Sequence, residues 1–171
     1  AGQDNGAIIS EALDLVVKTG AATWATMPYD ENDVNSEPPP NTNDEVGAYR
    51  AQEWYSLVST DEVKEQLNQG HPVIISLALH ESFKQLQGAG TRYDTTGIEH
   101  EKPLGEHAMV IVGYDNAKYD GVFKVRNSWG PQWGDDGYFW LTYNDFSQKT
   151  VPVLTDDGRR EPGYLVSAAY V

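Results

Sequence analysis

From Val73 to the C-terminus the chain runs through short segments rich in β-branched and aromatic residues, with no helical periodicity between them. The segments are 73–79, 108–114, 122–129, 138–143 and 164–171, and Gly, Pro, Asn and Asp clusters separate them. Strands in succession without intervening helices point to an antiparallel sheet or barrel. Upstream the pattern is helical. Ile9, Leu13, Val16 and Val17 share one face of a helix expected over 8–19, with Asp14 and Lys18 as an i,i+4 pair and Gly20 as terminator. A second helix is expected between Ser59 or Thr60 and Gly70, where Ser59 and Glu62 have the spacing of a capping box. Between the helices, 31–44 is polar and contains Pro38-Pro39-Pro40, which reads as a surface loop. The expected class is therefore α+β, helices first and sheet second, divided at 1–58 and 59–171.

Composition limits the partners. With 12 basic and 26 acidic residues the net charge is −14, so nucleic acid and anionic membranes are poor partners. The acidic runs, such as Asp30-Glu31-Asn32-Asp33 and Asp135-Asp136, read as solvated surface. None alternates oxygen ligands around a central glycine as a calcium loop does. No apolar run approaches the roughly 20 residues that cross a bilayer. The first residues, AGQDNG, lack the features of a signal peptide. There is no cysteine, which removes disulfides, thiolate metal sites and any thiol nucleophile within the chain.

Of the four histidines, His71 precedes a proline and His80 and His100 sit in polar segments, with no metal-ligand spacing among them. His107 differs, because it stands at the mouth of an apolar strand in GEHAMVIVGYD. A lone histidine there is usually structural, and Asn127, at the end of the next strand, is by itself an ordinary turn residue. Together they suit a cysteine-type hydrolase. An imidazole takes the thiol proton, and a third group on its other nitrogen holds the ring.

At this point the sequence resembles the papain-like (C1-type) cysteine peptidases. The resemblance is carried by His107-Ala108, Val112-Gly113-Tyr114, Asn127-Ser128-Trp129-Gly130, Trp133-Gly134 and Gly137-Tyr138, in the family's order and spacing. It implies a papain-like fold: an incomplete helical lobe followed by an antiparallel β-barrel-like lobe. It makes His107 the general base and acid and Asn127 its orienting partner, in a Cys-His-Asn triad. Trp129 becomes the indole that shields their hydrogen bond, and Trp133 a wall of the primed side of the cleft. Less sharply, Asp4-Asn5-Gly6 and Met27-Pro28-Tyr29 are similar to the family's glycine turn and Tyr-Pro-Tyr. Gly6 would then meet the substrate backbone, although Ala7 stands where a second glycine is expected. Ala108 and Ala78 would face the pocket for the second residue before the cleaved bond. No cofactor or metal is implied.

The family's Cys-Gly-Ser-Cys-Trp-like segment and its preceding Gln are missing, and the resemblance places position 1 just after them. That segment also supplies the central helix of the helical lobe, so Ile8, Leu13 and Leu15 are expected to be exposed unless a partner covers them. The expectation is a peptidase whose nucleophile lies on a separate or missing N-terminal segment, acting on peptide or protein substrates and inactive alone. The alternative is a non-catalytic papain-like module that binds peptides or proteins. An unrelated barrel or lectin-like domain is the third reading. The lack of cysteine fits a bacterial or archaeal protein better than a disulfide-rich animal one; it does not reveal the compartment, and a secreted or periplasmic location is one open reading.

Overall fold

The computed structural model describes residues 6–30, 33, 37–148, 150–154 and 159–171. Within the expected glycine turn, Asp4 and Asn5 lie outside these residues, as do several positions of the 31–44 stretch. The chain divides into two units, Ala1–Trp54 and Tyr55–Val171.

The first unit contains helix α1, Ile9–Lys18, and two short 3-10 turns at Pro40–Asp44 and Val46–Tyr49. The prolines expected to bar regular structure do so, since Pro40 merely opens the first of these turns. Helix α1 ends where Gly20 takes φ +104° and packs so closely that a Cβ there would lie 1.8 Å from the Val46 carbonyl oxygen. Asp14 accepts a hydrogen bond from the Trp54 indole N–H at 2.8 Å, in place of the expected pair with Lys18. The Glu45 carboxylate accepts from the Thr23 N–H at 2.8 Å, and these bonds hold its pKa below the usual carboxylate value.

The second unit opens with α2, Thr60–Asn68, whose capping box forms as expected: the Glu62 N–H donates to Ser59 Oγ, and the Glu62 carboxylate accepts from the Ser59 N–H. The strands follow: β1 Val73–His80, β2 Pro103–Asp115, β3 Val122–Arg126 and β4 Tyr138–Thr142. Then come a short helix α3, Tyr143–Gln148, and strands β5 Thr150–Leu154, β6 Arg160–Tyr164 and β7 Val166–Tyr170. Five strands form one sheet in the order β4-β3-β2-β1-β7, with every pairing antiparallel. The sheet is open, not closed into a barrel, and β5 with β6 makes a separate hairpin. The α+β class holds.

Three elements depart from the pattern in the sequence. The apolar run 164–171 is split at Leu165, which is fully buried and accepts the Ala78 N–H at 2.8 Å, while β1 shifts register against β7. Helix α3 interrupts the polar stretch after β4. Thr142 Oγ accepts the Asp145 N–H at 3.0 Å, the N-capping bond that starts a turn of helix. The β5–β6 hairpin pairs Pro152 with Pro162, and two prolines disguise a pair of strands that has no central place in a sheet.

The core lies between the sheet and the elements that cover it. Ile75, Leu77, Ile111, Phe123, Val125, Phe139 and Leu141 are fully buried. Phe83 is the hub of its aromatic part, with ring centroids 5.0 Å from Tyr93, 5.1 Å from Phe139 and 4.9 Å from Trp133. His80 is buried as well. Its Nε2–H donates to the Pro152 carbonyl at 2.9 Å, and burial pushes its pKa down, so it serves as a neutral core residue.

Candidate active site

Strand pairing alone brings His107 and Asn127 together. In β2, His107 stands opposite Leu77 of β1, and Met109 and Ile111 follow on the same face. Strand β3 pairs with the next part of β2, with Arg126 opposite Val110. One step beyond that pair, Asn127 comes level with Met109, and His107 is its diagonal neighbour on the inner face. The Asn127 N–H donates to the Gly137 carbonyl at 2.9 Å, which fixes the residue as the strand ends.

The side chains then meet. His107 Nε2 lies 2.9 Å from Asn127 Oδ1, and the Ser128 backbone N–H lies 2.7 Å from the same oxygen. A backbone N–H can only donate, so the amide atom facing it is the oxygen. The imidazole nitrogen facing that oxygen therefore carries a proton. In the neutral ring this leaves Nδ1 as the bare nitrogen, and it has no hydrogen-bond partner among the described residues. Asn127 is 5% exposed, and its Nδ2 is buried without a partner.

Aromatic rings back the pair. Trp129 stacks on His107 with centroids 5.5 Å apart and planes at 26°. It meets Trp133 edge-on at 5.4 Å and Phe83 at 5.5 Å. The two tryptophans differ in exposure. Trp129, 41% exposed, covers the histidine ring, whereas Trp133, 7% exposed, is packed between Phe83 and Phe139 and supports Trp129 from behind. The glycines of this motif have structural causes. At Gly134, φ is +66° and a Cβ would lie 2.5 Å from the Tyr138 carbonyl oxygen. At Gly137, φ is +85° and a Cβ would press on the Gly130 carbonyl.

The remaining candidates separate. Ala108 is exposed and, with Val110, Asn127, Ser128 and Tyr138, lines a depression of about 550 Å³. Ala78 is buried in the sheet. It is 2% exposed in β1, an interior strand buried on both faces over this stretch. Gly6 belongs to the first unit, where its φ is +74° and a Cβ would meet nothing within 4 Å. Two supporting residues carried no local signal in the sequence. Phe83 buttresses Trp129 from far away in the chain, and Glu106 accepts hydrogen bonds from the Ser76 and Ser167 hydroxyls, tying β2 to β1 and β7 just before His107. Only the fold brings those partners together.

The papain family cysteine protease model matches residues 3–152. An uncharacterized peptidase C1-like protein of Acanthamoeba polyphaga mimivirus is 26% identical over 150 residues, which cover 82% of this chain and 48% of that protein. The probable cysteine protease RDL2 of Arabidopsis thaliana is 30% identical over 144 residues, covering 82% of this chain and 38% of its own. Xylellain, a cysteine protease from Xylella fastidiosa, superposes with a TM-score of 0.77 at 22% identity, over 98% of this chain and 62% of its own. Procathepsin L2 from the larval midgut of Tenebrio molitor gives 0.67 at 27% identity, over 97% and 47%. The chain thus spans about half or less of the length of these curated relatives. With the matched residues covering most of its length, the chain belongs to the papain family of cysteine proteases.

Proposed function

We propose that this chain supplies the base and its orienting partner to a cysteine-type peptidase, with the thiol contributed by a polypeptide segment outside these 171 residues. The observation that carries this reading is the doubly bonded Asn127 oxygen, which holds the His107 proton on Nε2 and leaves Nδ1 bare. A bare nitrogen on a partly buried imidazole that stacks on an indole is suited to take a proton from an incoming thiol.

The chemistry is acyl transfer. The thiol proton passes to Nδ1, and the thiolate attacks the peptide carbonyl carbon. The imidazolium returns the proton to the leaving amine as the C–N bond breaks, leaving a thioester. Nδ1 then accepts a proton from water, whose oxygen attacks the thioester and releases the acid and the thiol. Asn127 keeps the ring in one tautomer throughout, and Trp129 keeps water from their hydrogen bond. Exposed Ala108 leaves room for a substrate side chain beside the pair.

The test mixes the chain with a polypeptide bearing a papain-like Gln…Cys segment and follows hydrolysis of a fluorogenic peptide. Turnover is expected in the mixture and not with this chain alone. His107→Ala should lower it by a factor on the order of 10³ or more with the circular dichroism spectrum unchanged. Activity that survives this substitution would show the site to be misassigned. The lack of any cysteine favours a second reading, a papain-like module that binds peptides without cleaving them. Peptide binding with no turnover in the complemented mixture selects it.

A further inference from the structure

On the outer face of the sheet, cations and aromatic rings alternate in one continuous row. Arg92 lies 5.4 Å from the Tyr119 ring centroid, and Lys118 lies 5.5 Å from the same ring and 4.1 Å from Trp140. Lys124 lies 5.9 Å from Trp140 and 4.5 Å from Tyr138, and Arg126 closes the row 6.0 Å from Tyr138. The β3–β4 pairing builds half of it, with Lys124 opposite Trp140 and Arg126 opposite Tyr138. Strand alternation sends these pairs away from the buried Phe123, Val125, Phe139 and Leu141, and so away from the His107 face.

The charge of this row is out of keeping with the rest of the chain. Four of only 12 basic residues stand in it, in a protein with 26 acidic ones. Arg92 has Asp94 at 3.7 Å. Lys118, Lys124 and Arg126 have no carboxylate within ion-pair distance among the described residues. Nearby, Asp135 is engaged by the Gly90 N–H at 2.8 Å.

We propose that this row docks an extended acidic polypeptide segment with carboxylates at alternate positions. The proposal is independent of the peptidase reading. Charge complementarity favours an anion, and the geometry favours a strand-like one. Same-face residues two apart on a strand repeat at roughly 6.6–6.8 Å, so Lys124 and Arg126 match carboxylates at i and i+2 of an extended peptide. The ring faces are already occupied by the chain's own cations, which removes the stacking surfaces that sugars or nucleobases use.

The probe is a fluorescein-labelled peptide of alternating Glu and Ser, titrated against the full 171-residue chain by fluorescence anisotropy. Saturable binding is expected, and it should weaken as added salt shortens the screening length from about 10 Å at 0.1 M to about 3 Å at 1 M. Lys124→Glu combined with Arg126→Glu should weaken it on the order of tenfold or more. Lys118→Gln and Lys124→Gln, which leave the rings in place, should each weaken it by a few-fold at unchanged Tm. These milder variants keep the test decisive if the charge-reversed protein does not fold. Absence of binding, or equal binding by the variants, overturns the proposal. So does tighter binding of a sulfated oligosaccharide or a single-stranded oligonucleotide. Self-association that sedimentation shows to be lost in the variants assigns the row to a second copy and also overturns it.

Discussion

Among the described residues of Ala1–Trp54 the only buried side chain is Thr42, whereas the apolar core of the protein lies wholly within Tyr55–Val171. Helix α1 nevertheless has the pattern of a helix that buries one face, with Ile8 just before it at 61% exposure and Leu15 within it at 58%. The first unit is held by polar latches, Thr23 on Glu45 and Trp54 on Asp14, and by the close approach of Gly20 to Val46. The second is held by packing. Exposed polar contacts contribute little each, while a fully buried aromatic contributes several times more. The two units should therefore respond very differently to substitutions of the same size.

Four substitutions would break or sharpen that contrast. Phe83→Ala removes the ring that four other aromatics touch, and it should cost about 3–5 kcal/mol of unfolding free energy in urea. A loss under about 1 kcal/mol would mean that the aromatic cluster is not the core of its unit. Gly134→Ala forces a Cβ against the Tyr138 carbonyl at positive φ and should cost about 1–3 kcal/mol. It should also loosen Trp129 over His107, read as a change in tryptophan fluorescence. Ser59→Ala deletes the cap of α2 and should cost about 1 kcal/mol. Leu15→Ser, on the uncovered face of α1, should change stability by no more than about 0.5 kcal/mol. If it costs as much as the cap, α1 has a packing partner and the contrast fails.

How much of this was legible in the sequence follows the same division. Strands β1 to β4 and the cap of α2 could be read because β-branched runs and a Ser-x-x-Glu spacing are local signals. The β5–β6 hairpin could not, because Pro152 and Pro162 argue against strands and only their mutual pairing at the margin reconciles them. The split at Leu165 depends on a register shift in β1, a distant element that no local pattern reveals. At the site, His107 and Asn127 were marked by their motifs, and their tautomer was not. It depends on the Ser128 N–H, a backbone group that no residue choice encodes. For Trp133 and Ala78 the motifs marked the position and not the burial, because a family motif preserves position in the chain, while burial depends on what packs behind.

The long strand β2 gives the site a parity rule. His107 faces inward because an even number of steps separates it from Met109 and Ile111, and Asn127 faces inward because the same count runs through Val125. One residue inserted or deleted within 107–111 or 125–127 would turn one partner to the outer face and dissolve the pair, however conservative the residue. Between the two residues the ladder takes one extra step near Val112, where it shifts register on the far side of both. Length variation between the histidine and the asparagine is therefore confined to the turn at 116–121, where Tyr119, Asp120 and Gly121 all take positive φ. Chains that build this pair in the same way should differ in length at that turn, or in steps of two.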